Sequence, residues 1–159
     1  MELSEVLLTA LKLETEGRAF YLRASGMSQN PETKAMFERL AEDEKNHYNF
    51  IQRQYDELRA GRGWSAIPEM KKVTALDFHA PVFPKGKAVP ATLPPNPTEE
   101  DALLFALSVE MKSFNLYQDA SGRTADPEAR QMFLQLTKAE LSHFDTLMLC
   151  YEERYSYPR

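Results

Sequence analysis

Glutamate and histidine occur three residues apart at two places in this 159-residue chain. Glu44 precedes His47 in the segment AEDEKNHY, and Glu140 precedes His143 in the segment AELSHF. On a helix, this spacing places an oxygen ligand and a nitrogen ligand about one turn apart on the same face, which suits a transition metal ion. Chance supplies a single Glu-x-x-His segment in many helical proteins. The prediction of a metal site therefore depends on where the two segments lie in the fold.

The two segments belong to an internal repeat that has a constant offset of 96 residues and no gap. Within this repeat, Glu14 matches Glu110, and the two Glu-x-x-His segments match each other. Further identical pairs lie in between, namely Tyr21 with Tyr117, Ala24-Ser25-Gly26 with Ala120-Ser121-Gly122, Pro31-Glu32 with Pro127-Glu128, and Met36-Phe37 with Met132-Phe133. The repeat predicts two copies of one structural unit.

Proline and glycine divide the chain into four helical stretches and one long connection. Seven of the ten prolines fall within residues 61–97, which predicts an extended crossover. Pro31 and Pro127 each follow an Asn or Asp of the N-cap type, as at the start of a helix. Gly26 and Gly122 are predicted to stop the first and third helices. The predicted helices span Ser4–Ser25, Pro31–Ala60, Thr98–Ser121 and Pro127–Tyr155.

Two helix pairs joined by a long crossover predict an all-α fold. The pairs cover residues 4–60 and 98–155, and the crossover covers residues 61–97 between helices two and three. We expect one domain over residues 1–159, an antiparallel four-helix bundle made of the two repeated pairs. The long crossover lets helices two and three run parallel.

One glutamate interrupts the apolar stripe of each predicted helix. Residues spaced alternately three and four apart share the side of a helix that faces a bundle. The interrupting residues are Glu14, Glu44, Glu110 and Glu140. Both histidines of the Glu-x-x-His segments lie on the same stripes, whereas Glu42 and Asp43 fall off the stripe. Counted from the turn within each pair, all four glutamates lie at one level, ~20 Å along the helices.

Four carboxylates at one level inside an apolar bundle need positive partners. Without them, burial would cost many kcal/mol or would force the groups to take up protons. Two divalent cations balance four carboxylate charges, whereas one cation leaves two charges unbalanced. Charge balance therefore predicts a dinuclear site. Carboxylate and imidazole ligands accept iron, manganese or zinc, so the ligand types leave the metal open.

Composition argues against several other classes of protein. The net charge of −5 and the sequence pI near 5.3 give no indication of nucleic-acid binding or of a membrane surface. No apolar run approaches the ~20 residues of a transmembrane span, and the N-terminal segment lacks the features of a signal peptide. The single cysteine, Cys150, excludes an internal disulfide. We therefore expect a cytoplasmic protein.

The segments ETEGRAFY, EDEKNHY, EMKSFNLY and AELSHF resemble the motifs of the ferritin-like di-iron carboxylate proteins, and most closely those of the rubrerythrin group. The resemblance covers all four helices but not the crossover, and it implies a ferritin-like bundle that holds two iron ions. It implies that Glu14 and Glu110 are terminal ligands and that Glu44 and Glu140 are bridging ligands. It further implies that His47 and His143 provide one nitrogen ligand per iron, and that Tyr21 and Tyr117 hydrogen-bond to ligand carboxylates.

The chain departs from the rubrerythrin pattern in two respects. Rubrerythrins typically have another glutamate one turn after the helix-three ligand, where this chain has Ser113. They also typically carry a rubredoxin-like domain with two CxxC pairs, and this sequence has one cysteine. The six-residue ligand set is closer to that of bacterioferritin.

The resemblance implies a di-iron oxidoreductase that reacts with peroxide or O2, as a peroxidase, an oxidase or a ferroxidase. Its electrons would come from an external donor such as a rubredoxin-type protein, and the expected assembly is a homodimer. Two alternatives stay open. One is a metal-binding or iron-handling bundle without catalytic turnover. The other is a non-catalytic bundle that binds a partner, with zinc in the carboxylate site.

Overall fold

A computed structural model describes residues 2–64, 73–74 and 78–155, so part of the predicted crossover lies outside the described residues. The helices are α1 (Leu3–Met27), α2 (Pro31–Arg59), α3 (Glu99–Arg123) and α4 (Pro127–Arg154). The described ranges contain no strand, which confirms the all-α prediction. None of the described helices carries an apolar stretch sufficient to cross a bilayer.

Polar side chains cap the start of three helices. Asn30 and Asp126 each accept a hydrogen bond from a backbone N–H group in the first turn of α2 and α4, respectively. Each is followed by a proline, whose missing N–H group costs nothing at the first helical position. Thr98 and Asp101 form a capping box at the start of α3. These local signals determine where the segments that carry the glutamates begin.

The prediction that Gly26 and Gly122 stop the helices was wrong. Both helices continue past these glycines, neither of which has a positive φ. The C-cap residues Ser28 and Thr124 are extended, and each donates its backbone N–H to the carbonyl four residues earlier. Glycine permits the left-handed conformation but does not require it, so an ordinary helical glycine fits equally well.

Two cross-helix hydrogen bonds show how the helix pairs face each other. Helix α1 packs against α2 and α3 against α4, and the pairs meet through α1 with α3 and α2 with α4. Tyr21 bonds to Glu110, and Tyr117 bonds to Glu14. One residue number rises as the other falls, so α1 and α3 are antiparallel. Since α1 and α2 are also antiparallel across a short turn, α2 and α3 point the same way, as predicted.

Two apolar clusters fill the bundle, and the internal repeat relates them. One cluster contains Tyr21, Phe37, Leu40 and Leu103. The other contains their equivalents Tyr117, Phe133, Leu136 and Leu7. The first cluster draws on the helix ends near the turn of the first pair, and the second on the ends near the turn of the second pair. The four glutamates occur between these clusters along each helix.

Two described residues of the crossover, Trp64 and Val73, contact the second helix pair. The ring of Trp64 meets that of Phe133 edge to face, with 5.9 Å between centroids. Farther along, the Gln131 side chain accepts from the backbone N–H of Val73 at 3.1 Å and donates to its carbonyl at 3.2 Å. The amide of one α4 side chain thus satisfies both backbone groups of a crossover residue.

Candidate metal centre

The four stripe glutamates meet in the interior of the bundle. Each comes from a different helix, and each is at most 4% exposed: Glu14, Glu44, Glu110 and Glu140. Glu42, only two residues before Glu44, is exposed. The 3-4 spacing therefore distinguishes the buried acid from its neighbour, because it follows the side of the helix that faces the bundle.

Six side chains form two overlapping groups with the proximity of metal ligands. Glu44 and Glu140 belong to both groups. Glu14 and His47 complete the first group, which we call the His47 group, and Glu110 and His143 complete the second, the His143 group. Within each group, one ligand atom from every residue lies within 4.8 Å of all the others. All six residues predicted from the sequence are therefore brought together.

Both histidines turn Nδ1 toward the carboxylates. The Nδ1 atom of His47 lies 3.3 Å from Oε1 of Glu140, and that of His143 lies 3.5 Å from Oε1 of Glu44. The two rings stack with 5.6 Å between their centroids and 21° between their planes. These nitrogen–oxygen distances are longer than those of good hydrogen bonds, so the atoms converge without binding each other tightly.

Six buried atoms at this level have no hydrogen-bond partner among the described residues. They are Oε2 of Glu14, Oε2 of Glu110, both carboxylate oxygens of Glu140, and Nδ1 of His47 and of His143. Native proteins pair nearly all buried polar atoms, so such a concentration needs an explanation. Two divalent cations would serve all six atoms and would balance the four carboxylates. Oxygen and imidazole ligands suit iron, manganese or zinc, so the residues fit a pair of such ions.

Tyrosines hold the two unshared carboxylates from the opposite helix pair. The hydroxyl of Tyr21 on α1 donates to Oε1 of Glu110 on α3. The hydroxyl of Tyr117 on α3 donates to Oε1 of Glu14 on α1, at 2.6 Å. Burial, reinforced by the charge of the adjacent glutamate, raises the pKa of both tyrosines well above its ordinary value. Both hydroxyls therefore stay protonated and act as donors, while Oε2 of each carboxylate is left for another ligand.

A family match agrees with this arrangement. The Rubrerythrin family model matches residues 5–151, which include all six clustered residues and both tyrosines. The chain belongs to the rubrerythrin family. A solved structure of a hypothetical protein from Pyrococcus furiosus has the same ferritin-like fold. The TM-score is 0.70 at 23% identity, over 96% of this rubrerythrin-family chain and 89% of that one. No match was found among curated proteins.

The carboxylates of this rubrerythrin-family centre fall into two electrostatic classes. Burial, together with the charges of neighbouring glutamates, raises the pKa of Glu44 and Glu140 well above the ordinary value. Burial acts in the same direction on Glu14 and Glu110, but interactions with the shared glutamates, the histidines and the tyrosines outweigh it and lower the pKa. Protonation is thus favoured at the shared acids over the unshared ones, and metal binding would compete with it.

Gly17 on α1 provides the space that the Glu44 carboxylate occupies. A Cβ atom at position 17 would lie 3.3 Å from Oε2 of Glu44, closer than an ordinary contact. Glycine within a helix costs about 1 kcal/mol relative to alanine, so its position in this stripe has a packing reason. The repeat places Ser113 at the equivalent position, where the side chain is also small and is buried.

Asp43 contacts the rubrerythrin-type cluster, although it falls off the stripe of α2 and was not predicted to do so. Its Oδ2 atom lies 3.0 Å from Nε2 of His143 on the neighbouring helix, although the Asp43 side chain is 51% exposed. A stripe identifies residues that face the bundle centre, whereas a residue at the edge of the stripe can still reach the adjacent helix. The available signal was a break in the repeat, because Ala139 occupies the equivalent position.

Proposed function

We propose that this rubrerythrin-family protein binds two iron ions and is a non-haem di-iron oxidoreductase that reacts with peroxide or O2. The proposed ligands are Glu14, Glu44, His47, Glu110, Glu140 and His143. The observation that supports the proposal is the set of six buried, unpartnered ligand atoms at one level of the bundle. The family match and the two overlapping groups of ligand residues agree with it.

The proposal gives each kind of residue a distinct task. Glu44 and Glu140, which belong to both groups, would be shared by the two ions. Glu14 and Glu110 each serve one position, and a tyrosine from the opposite pair holds each of them in place. When bound, a pair of Fe(II) ions supplies two electrons to an oxidant. Along the helices, the apolar clusters lie on either side of the carboxylates.

The shared carboxylates are the groups proposed to bind and release protons. Burial and the neighbouring glutamates raise the pKa of Glu44 and Glu140, so these two carboxylates are the ones most favoured to hold protons in the metal-free site, and metal binding would compete with those protons. Tyr21 and Tyr117 keep their protons, because their pKa values lie well above the ordinary value. The tyrosines therefore position carboxylates and do not act as proton acceptors.

The proposal includes an external electron donor. The sequence contains one cysteine, so its 159 residues hold no pair of CxxC motifs that could form a rubredoxin-like centre. A rubredoxin-type protein would supply electrons after each oxidation of the iron pair. We further propose a single domain over residues 1–159, a homodimer and a cytoplasmic location. Chemical crosslinking and sedimentation would test the assembly, because a monomer at micromolar concentration would contradict it.

An anaerobic Fe(II) titration followed by separate additions of H2O2 and O2 tests the central proposal. We expect two Fe(II) per chain and rapid oxidation by at least one of the two oxidants, followed in stopped-flow absorbance. Turnover should remain slow until a reductant is added. Two bound Fe(II) that react with neither oxidant would favour iron handling without turnover. Failure to bind iron, together with binding of zinc, would favour the non-catalytic bundle.

A further inference from the structure

We propose that the two metal positions are inequivalent, and that the position at the His143 group binds a divalent cation first and more tightly. This inference rests on the proposed metal site. Its basis is the contact between Asp43 and the outer nitrogen of His143, at 3.0 Å. The repeat gives His47 no counterpart of this contact, because the residue equivalent to Asp43 is Ala139.

Apart from Asp43, the residues that form the two positions and the tyrosines that contact them are of the same kinds. Each group has the same two shared glutamates, one further glutamate and one histidine. In each, a tyrosine from the opposite helix pair donates to the unshared glutamate. Each histidine directs Nδ1 at the carboxylates. Asp43 is therefore the residue that most clearly distinguishes one position from the other.

Asp43 affects the ligand atom of His143 through the imidazole ring. By accepting a hydrogen bond from Nε2–H, its carboxylate favours, in the neutral imidazole that binds a cation, the tautomer whose lone pair is on Nδ1, the atom that faces the cluster. The negative charge also makes that nitrogen a stronger donor to a cation, and the bond fixes the orientation of the ring. His47 has to adopt the same tautomer without this contact, and its side chain is 17% exposed, against 9% for His143.

Zinc tests the inference without any redox reaction. The metal-free protein is loaded with one equivalent of Zn(II) per chain and crystallised, and anomalous scattering at the zinc edge gives the occupancy of each position. We expect the position at His143 to be several-fold more occupied than that at His47. Equal occupancies, from equal affinities or from all-or-none filling, or a preference for His47 would overturn the inference. A protein that binds no metal at all would instead refute the proposed function.

A pair of adjacent acids supplies the matched control. Asp43→Ala removes the contact with His143, and we expect it to weaken the tighter of the two binding steps by roughly 10- to 100-fold, the usual effect of losing such a partner. Glu42→Ala removes the same charge from the exposed neighbouring position and should preserve the preference. If Asp43→Ala left the occupancy ratio unchanged, or changed it no more than Glu42→Ala does, the contact would not be the cause.

The mirror variant tests the same contact at the other position. Ala139→Asp places a carboxylate on α4 where the repeat would bring it to His47 on α2. We expect this variant to narrow the difference in occupancy between the two positions. An unchanged or larger difference would contradict the role assigned to the carboxylate. Because both Asp43 and Ala139 lie outside the apolar clusters, the three variants test the centre without removing core side chains.

Discussion

At the scale of single residues, the centre depends on small differences between chemically identical side chains. Glu42 and Glu44 are two positions apart, yet one is exposed and the other is 4% exposed and shared by both ligand groups. Gly17 on α1 leaves room for the buried Glu44 carboxylate, since a Cβ there would lie 3.3 Å from its Oε2 atom. Whether an acid takes part in the centre thus depends on its angular position around the helix.

Alanine at Glu44 should lower the metal stoichiometry, whereas alanine at Glu42 should leave it unchanged. Glu44→Ala removes a ligand shared by both groups, so we expect binding to fall from two ions per chain to one or none. Glu42→Ala should keep two ions and change the free energy of unfolding by no more than about 0.5 kcal/mol. Elemental analysis after equilibrium dialysis measures the first quantity, and chemical denaturation the second. Equal losses of metal in the two variants would mean that the inward acid has been misidentified.

Gly17→Ala should weaken metal binding without weakening the helix. The substitution favours the helix by up to about 1 kcal/mol but places a Cβ 3.3 Å from Oε2 of Glu44. We therefore expect weaker metal binding without a matching loss of stability in the metal-free protein. Gly26→Ala is the control, because Gly26 is also helical and a Cβ there would meet nothing within 4 Å. Unchanged metal affinity in Gly17→Ala would show that the Glu44 carboxylate can move aside freely.

At the scale of helices, the first pair and the second pair restrain each other across α1 and α3. Tyr21 and Tyr117 each cross from one pair to the other, and each ends on a buried carboxylate. These two bonds fix the register of α1 against α3, and with it the level at which the glutamates meet. The same side chains are also among the largest buried members of their apolar clusters.

Tyr21→Phe should destabilise the metal-free protein. It keeps the ring in its apolar cluster but leaves an oxygen of Glu110 buried without its donor, which costs roughly 1–3 kcal/mol. The hydroxyl of Tyr48, by contrast, donates a hydrogen bond within its own helix, to Gln52 at 3.3 Å. Tyr48→Phe should thus change stability by less than about 0.5 kcal/mol. Chemical denaturation of both variants in the presence of a chelator measures the difference, and similar losses would argue against the structural role of the Glu110 bond.

Patterns within one helix predicted much of this architecture, whereas contacts between helices needed the structure. The stripes of Glu14, Glu44 and their repeats were sufficient to predict which acids face inward, because that depends on one helix at a time. Asp43 was missed because its contact with His143 depends on the relative rotation of α2 and α4. The ends of α1 and α3 were missed for a different reason, since a glycine fits both a helical and a left-handed conformation.

At the scale of the whole molecule, burial in the metal-free bundle favours the protonated form of two glutamates. Burial and neighbouring glutamates raise the pKa of Glu44 and Glu140. Burial lowers the pKa of His47 and His143, but the surrounding carboxylates outweigh it and raise the net value. The folded, metal-free chain consequently binds more protons than the unfolded chain over the pH range above the ordinary glutamate pKa of 4.5.

The stability of the metal-free protein should therefore fall as the pH rises from about 5 to 8. The lowered pKa values of Glu14 and Glu110 do not oppose this trend, because their stabilising effect is complete above pH 4.5 and is lost only at lower pH. Metal affinity should rise over the same range, since binding releases protons. Denaturation with a chelator, and again with excess Zn(II), at three pH values measures both. Greater stability of the chelated protein at pH 8 than at pH 5.5 would contradict the prediction.

The division of the ligands between the two halves of the chain has a consequence for assembly. The His47 group takes three residues from the first half and only Glu140 from the second, and the His143 group takes three from the second half and only Glu44 from the first. Neither half alone contains all four residues of either group. Bound ions would thus stabilise the association of the two halves through their binding energy. If a protease cut the crossover, the affinity of the two fragments for each other would then become a function of metal concentration.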